Sequence, residues 1–220
     1  MRALSLLEAR VLGVLVEKAH TVPDSYPLSL NAMMAGVNQK TARDPVLNAT
    51  EAEIQAAADA LKALHLAFES SGSRVTRWEH NMGRAMALPS QSVAVLAVLM
   101  LRGPQTTAEL RTNSERLHRF ADLSSVEAFL DELAARSDEK GGPLVIKLAR
   151  AAGAREARWA HLLSGEVDAA AWVASPDSGD FVASSELASM KAEQQALRIE
   201  IDTLRGLVDR LYTELGVDRT

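Results

Sequence analysis

Cysteine is absent from all 220 residues, which removes disulfides, thiolate metal ligands and cysteine nucleophiles together and makes a reducing compartment the expected home. Aromatic residues are scarce at 4%, and the longest apolar run, Val93 to Leu101, falls far short of the ~20 residues a membrane span requires. The opening stretch MRALSLLEAR has no uninterrupted apolar segment followed by a small-residue cleavage site, so a cytoplasmic protein without membrane attachment is expected. Positive charge is not in excess either. With 24 Lys+Arg against 29 Asp+Glu the formal charge is −5, and global basicity gives no nucleic-acid footprint. What is present is 47% apolar residues, enough for one or two domains with real cores.

The negative charge is local. Residues 1–88 carry nine basic and nine acidic side chains, residues 89–165 ten and nine, and residues 166–220 five and eleven. The deficit therefore sits at the C-terminal end, and the first 165 residues are nearly neutral, so a local basic surface is compatible with the acidic whole.

The chemistry of enzymes is also missing. Gly141-Gly142-Pro143 lacks the lysine and following helix of a phosphate-cradling loop. His20, His65, His80, His118 and His161 stand singly, without the spacing of a metal site, so neither metal nor cofactor is expected. Glu8, Glu53, Glu109 and Glu127 are accounted for as helix caps. A hydrolase built from scattered Ser, His and Asp needs no local motif, but no pattern points to one, and the chain reads as non-enzymatic.

Internal repetition carries the fold assignment. Val11-Leu12-Gly13-Val14-Leu15 matches Val95-Leu96-Ala97-Val98-Leu99, and Ile54 with Asp59-Ala60-Leu61 matches Val126 with Asp131-Glu132-Leu133. Arg74-x-x-Arg77-Trp78-x-His80 recurs as Arg155-x-x-Arg158-Trp159-x-His161 in a chain with only three tryptophans. The matches keep their order, at separations of 84, 72 and 81 residues, as two copies of one domain would.

Each copy reads helix, helix, helix, hairpin. In the first, a helix opens on the capping box Ser5-x-x-Glu8, a short one covers Ser29 to Asn38, and a third opens on Thr50-x-x-Glu53. Strands are expected at Leu66 to Phe68 and Val75 to Glu79, with Trp78 and His80 on one face and Arg77 on the other. The second copy uses Ser90 to Leu101, Thr106 to Thr112 and Ser124 to Arg136, capped by Thr106-x-x-Glu109 and Ser124-x-x-Glu127, with strands at Leu144 to Leu148 and Arg158 to Leu162. Three helices and a two-stranded wing make a winged helix, a helix-turn-helix relative. The expected fold class is mainly α with small β-hairpins, as two tandem winged-helix domains plus a C-terminal heptad helix. The expected bounds are 1–88, 89–165, a linker at 166–185 and the helix at 186–216. The first copy also carries inserted loops around Thr21 to Asn31 and Asn38 to Val46, and loops of this kind carry function more often than scaffold.

Several long motifs resemble the YceH-like family of bacterial proteins. They are Leu7-Glu8-Ala9-Arg10-Val11, Glu17-Lys18, Tyr26-Pro27-Leu28-Ser29, Asn38-Gln39-Lys40-Thr41 with Arg43 and Pro45-Val46, and Arg102-Gly103-Pro104-Gln105-Thr106 with Glu109-Leu110-Arg111. The resemblance covers nearly the whole chain, thinning after Gly165. It implies tandem winged helices and supplies no established activity. Val37 stands where relatives often carry cysteine, and Trp159 where tyrosine is common, so no chemistry of that cysteine carries over.

Beyond a linker rich in Ala, Ser, Asp and Gly, apolar residues recur at alternating steps of three and four from Leu187. Leu197, Ile201, Leu204, Val208, Leu211 and Leu215 are the expected dimerisation stripe, with Glu193 and Glu200 placed to meet Arg198 and Arg205 of a parallel partner. Gln194 in the stripe and Gly206 weaken it, and the alternative is a helix folded back on its own domains.

Two functions remain. The leading one is DNA-linked regulation, with double-stranded DNA held by Asn38, Gln39, Lys40, Arg43, Arg74, Arg77, Arg111, Arg116, Arg155 and Arg158 in the turns and wings. For Arg77 and Arg158 the alternative is a solvated or acid-paired strand charge, and for Asn38 to Arg43 a set of bonds from loop to body. The competing function is a protein-interaction adaptor. It is favoured because both third helices are net acidic and would repel phosphate where a recognition helix normally offers Arg, Lys, Asn or Gln.

Overall fold

The computed structural model describes residues 2–70, 75–150 and 154–167. Arg74, the heptad stripe, its dimer contacts and all of the expected linker beyond Val167 lie outside the described residues. Those described form a mainly helical structure with small antiparallel sheets.

Helix α1 (Leu6–Thr21) opens on the Ser5/Glu8 capping box, in which the Ser5 hydroxyl accepts from the Glu8 amide and the Glu8 carboxylate accepts from the Ser5 amide. A two-residue strand β1 (Leu28–Ser29) follows, then α2 (Leu30–Val37) and α3 (Glu51–Ala63), the last capped by Thr50 and Glu53. Strands β2 (Ala67–Ser70) and β3 (Arg77–His80) form the hairpin, and β1 adds to its far edge, pairing Leu28 with Trp78 and Ser29 with Arg77. A short helix α4 (Met82–Ala85) leads to the second half.

That half repeats the plan with α5 (Ser90–Arg102), α6 (Thr107–Asn113), α7 (Leu123–Ala134), β4 (Val145–Lys147) and β5 (Trp159–His161). Even the edge strand has its counterpart, because Gln105 bridges Trp159 as Leu28 pairs with Trp78. The Thr106/Glu109 box is present. One cap differs from the sequence expectation. Asp122, not Ser124, caps α7, accepting from the Ser125 amide at 2.7 Å and from the hydroxyls of Ser124 and Ser125. A carboxylate at the positive end of the helix outcompetes a neutral hydroxyl, and those bonds hold the Asp122 carboxyl down at about 2.

The two halves meet through their first helices. Residues Glu8 to Val16 of α1 and Ser92 to Leu101 of α5 are buried without interruption, the signature of central helices covered on all sides. Around them α2 and α3 pack on α1, and α6 and α7 pack on α5, so the apolar core runs continuously from one half into the other. Gly13 permits the close approach: a Cβ there would stand 3.0 Å from Leu101 Cγ and 3.4 Å from the Ala97 carbonyl oxygen.

Candidate functional site

Four expected contact residues of the first half, Asn38, Gln39, Lys40 and Arg43, fall on the loop joining α2 to α3, and this loop is bolted to α1 by two buried arginines. Arg10 is fully buried and donates from Nη2 to the carbonyls of Asp44 (2.9 Å) and Pro45 (2.7 Å). Burial first, then the neighbouring Arg43, lowers the Arg10 guanidinium to about 10, against the opposing field of Asp44. Arg43, on the loop, meets Glu17, seven residues further along α1 than Arg10, in a two-pronged pair at 3.1 and 2.6 Å and donates from Nε to the Gly36 carbonyl at 3.0 Å. Its side chain is 0% exposed. Burial raises the Glu17 carboxyl, but the hydrogen bonds and charge of Arg43 prevail and hold it below its ordinary value.

Arg43 is therefore removed from any surface contact set: its charge is consumed inside the protein. Asn38 is similarly engaged, since its amide nitrogen donates to the Ala49 carbonyl and its oxygen accepts from the Ala49 amide, both at 2.8 Å. Gln39 donates to the Thr41 carbonyl at 3.0 Å, and Lys40 stands exposed at the tip.

The paired arginines of the hairpins also act inward, by the same contact in each half. Arg77 donates to the carbonyl of Pro27 at 2.8 Å, and Arg158 to the carbonyl of Pro104 at 3.0 Å, each tying its hairpin to the residue before the edge strand. Arg158 additionally pairs with Glu109 at 2.8 Å. In the second half Arg111 donates to the Ala121 carbonyl at 3.0 Å while staying exposed, and Arg116 and Arg155 are exposed. Of the ten residues expected to contact DNA, Arg74 lies outside the described residues and the other nine divide. Lys40, Arg111, Arg116 and Arg155 face solvent, Arg43 is interior, and Asn38, Gln39, Arg77 and Arg158 are partly buried and hydrogen-bonded to the protein.

Trp78 in β3 and Trp159 at the start of β5 are buried, each two residues before the histidine, His80 or His161, that recurs with it in the sequence repeat. Both indole Nε1 atoms and both imidazole Nδ1 atoms are buried without a partner in the described structure. Burial, helped at His80 by the nearby charge of His20, lowers both imidazoles to about 4. Each imidazole is therefore neutral in the folded protein at pH values where the unfolded chain, near its ordinary 6.5, already takes the proton. Stability from this source is complete above pH 6.5 and is lost as pH falls towards 4. Urea midpoints should decline between pH 7 and 5, and His161→Leu should flatten that decline; an equal decline in the variant would refute the assignment.

The outer faces of the third helices are acidic. On α3, Glu51, Glu53 and Asp59 are exposed, and its one exposed cation, Lys62, is paired with Glu69 at 2.6 Å. On α7, Glu127, Asp131 and Glu132 are exposed and no basic residue lies on the helix. Among the described residues no group of three or more His, Asp or Glu is placed to hold a metal ion, and no helix is long and apolar enough to cross a membrane.

Fold and surface define a mainly helical, internally repeated protein whose repeated charged and aromatic residues serve packing. Residues 4–154 match the family described as "Protein of unknown function, DUF480". UPF0502 proteins of Burkholderia ambifaria and Burkholderia multivorans are 61% and 59% identical to the chain, each over 99% of it and 92% of the relative. A UPF0502 protein of Burkholderia pseudomallei is 60% identical over the same shares. The chain belongs to this DUF480/UPF0502 family, in agreement with the YceH-like resemblance read from its motifs.

Proposed function

We propose that the protein is a cytoplasmic, non-enzymatic tandem winged-helix adaptor that docks a cationic protein surface on the exposed faces of α3 and α7. The winged-helix reading is supported in both halves by the order helix, edge strand, helix, helix, hairpin, with the edge strand beside the second hairpin strand. The observation that carries the partner class is the acidity of both third helices. Asp59 and Asp131 occupy equivalent repeat positions, and neither helix offers an unpaired exposed cation among the described residues. Against a polyanion such faces are repulsive. Against a basic protein surface they steer encounter and set register. Two chains joined through the stripe Leu197, Ile201, Leu204, Val208, Leu211 and Leu215 would present these faces in duplicate.

The second reading is duplex DNA bound through turns and wings, favoured by the exposure of Lys40, Arg111, Arg116 and Arg155. Nuclease-treated pulldowns with the wild type and an Asp59→Lys/Asp131→Lys/Glu132→Lys variant separate the two. The adaptor reading expects a stoichiometric protein partner retained by the wild type and lost by the variant. A partner held equally by both would remove α3 and α7 from the docking surface.

A further inference from the structure

We propose that the cleft framed by the N-terminal segment, the linker after α4 and the residues following α7 binds a small organic monocarboxylate with an apolar, aromatic-sized body. The cavity measures about 390 Å³, within the range of small-molecule sites. Its charged lining is of one sign: Arg2, Arg136 and Lys140 face it, and among the described residues no carboxylate lines it. Its apolar wall is made by Met86, Leu144 and Leu163, all buried by the fold. A cleft of this composition matches a ligand with one negative end and a greasy remainder. A bare inorganic anion would leave the wall unfilled, and a neutral molecule would leave the cations unanswered.

The cations are not equivalent. Arg2 is already answered by Glu8, which accepts from both of its terminal nitrogens at 2.7 Å. Arg136 is held in place by backbone carbonyls, donating from Nε to Lys140 at 2.7 Å and from Nη2 to Met86 at 2.8 Å, bonds that fix the guanidinium without neutralising it. Its Nη1 has no hydrogen bond among the described residues. Lys140, exposed at the rim and in no ion pair among the described residues, supplies the second cation. The adjoining Gly141, at φ +95°, has no neighbour within 4 Å of where a side chain would begin, so the approach to Lys140 and Arg136 is open. A guanidinium held in place beside a buried apolar wall, with a second cation at the rim, gives the two parts an amphipathic anion needs, and they stand here in one cavity.

The position also has a structural consequence. Ala85 and Met86 belong to the connection between the halves, and Leu162 and Leu163 follow β5 of the second hairpin. Leu163 in turn accepts from the Leu4 amide at 2.8 Å, just before α1. An occupant would touch both halves where the chain crosses between them. This inference is independent of the adaptor reading, because it uses none of the residues on α3 or the exposed face of α7.

Calorimetric titration of the full chain with 1-naphthaleneacetate tests it, beside the neutral 1-naphthaleneacetamide and inorganic phosphate. Saturable binding of the carboxylate is expected at one molecule per chain, with the amide and phosphate each weaker by about tenfold or more. Lys140→Glu should weaken the carboxylate by a similar factor. Lys140 is a rim residue whose side chain makes no hydrogen bond among those described, so the variant folds, and circular dichroism checks this. A second variant, Leu162→Glu, brings a carboxylate to the wall and should abolish binding. The proposal is overturned by absence of saturable binding, by equal binding of the amide or of phosphate, or by carboxylate binding unchanged in both variants.

Discussion

Replacing Arg43 by alanine is expected to cost about 3–5 kcal/mol of stability, the penalty typical of removing one partner from a buried ion pair. The size follows from what is left behind. Glu17 keeps its charge in a mostly buried position with Lys18, at 3.1 Å, left to answer it, the Gly36 carbonyl loses its donor, and the loop from Asn38 to Ala49 loses one of its two bolts to α1. The double variant Arg43→Met/Glu17→Leu should recover most of the loss, since apolar groups of similar volume ask for no partner. Because Arg43 holds the Glu17 carboxyl below its ordinary value, the pair's contribution is complete above the unfolded carboxylate range and fades as pH falls through the folded value. Urea unfolding of the two single variants and the double at pH 7 measures this. A single-variant loss under 1 kcal/mol would mean that Arg43 is a surface group after all.

Removing either hairpin tryptophan is expected to be comparably severe. Trp78 is 0% and Trp159 2% exposed, and truncating such a side chain to alanine costs about 3–5 kcal/mol. Among the described residues their Nε1 atoms have no hydrogen-bond partner, so the loss is one of packing and cavity formation rather than of hydrogen bonding. The pattern is more informative than the magnitude. As α1 and α5 share one core, Trp159→Ala in a Trp172→Phe background should destabilise both halves together, in a single denaturation transition seen alike by helical signal and by the fluorescence of Trp78, then the one remaining tryptophan. Two separated transitions, with the first half persisting, would show that the halves fold independently.

How far the sequence reveals this depends on whether a feature is local. The capping boxes at Ser5, Thr50 and Thr106 are legible because cap and partner lie three residues apart. The repeat is legible because Arg-Trp-x-His survives in both copies, and its role becomes clear once both arginines are seen on prolyl carbonyls. Strand β1 escapes sequence reading because two residues have no period: they become a strand only by pairing with β3. Asp122 displaces Ser124 as a cap through electrostatics that a hydroxyl-centred pattern overlooks. Arg43 looks like a loop cation in sequence, and its burial depends on Glu17, a full helix and loop away. The lining of the carboxylate cleft is likewise assembled from the N-terminus, the inter-half connection and both ends of the second hairpin, and no single stretch hints at it.

The most direct test of the acidic-face reading is fluorescence anisotropy of a labelled mixed-sequence duplex at low and then moderate salt, with the wild type and the Asp59→Lys/Asp131→Lys/Glu132→Lys variant side by side. The expected result is no binding by the wild type even at low salt, and salt-sensitive binding gained by the variant once the repulsion is reversed. Wild-type binding that weakens with salt, with a slope counting several neutralised phosphates, would contradict it and return Lys40, Arg111, Arg116 and Arg155 to the centre of the function.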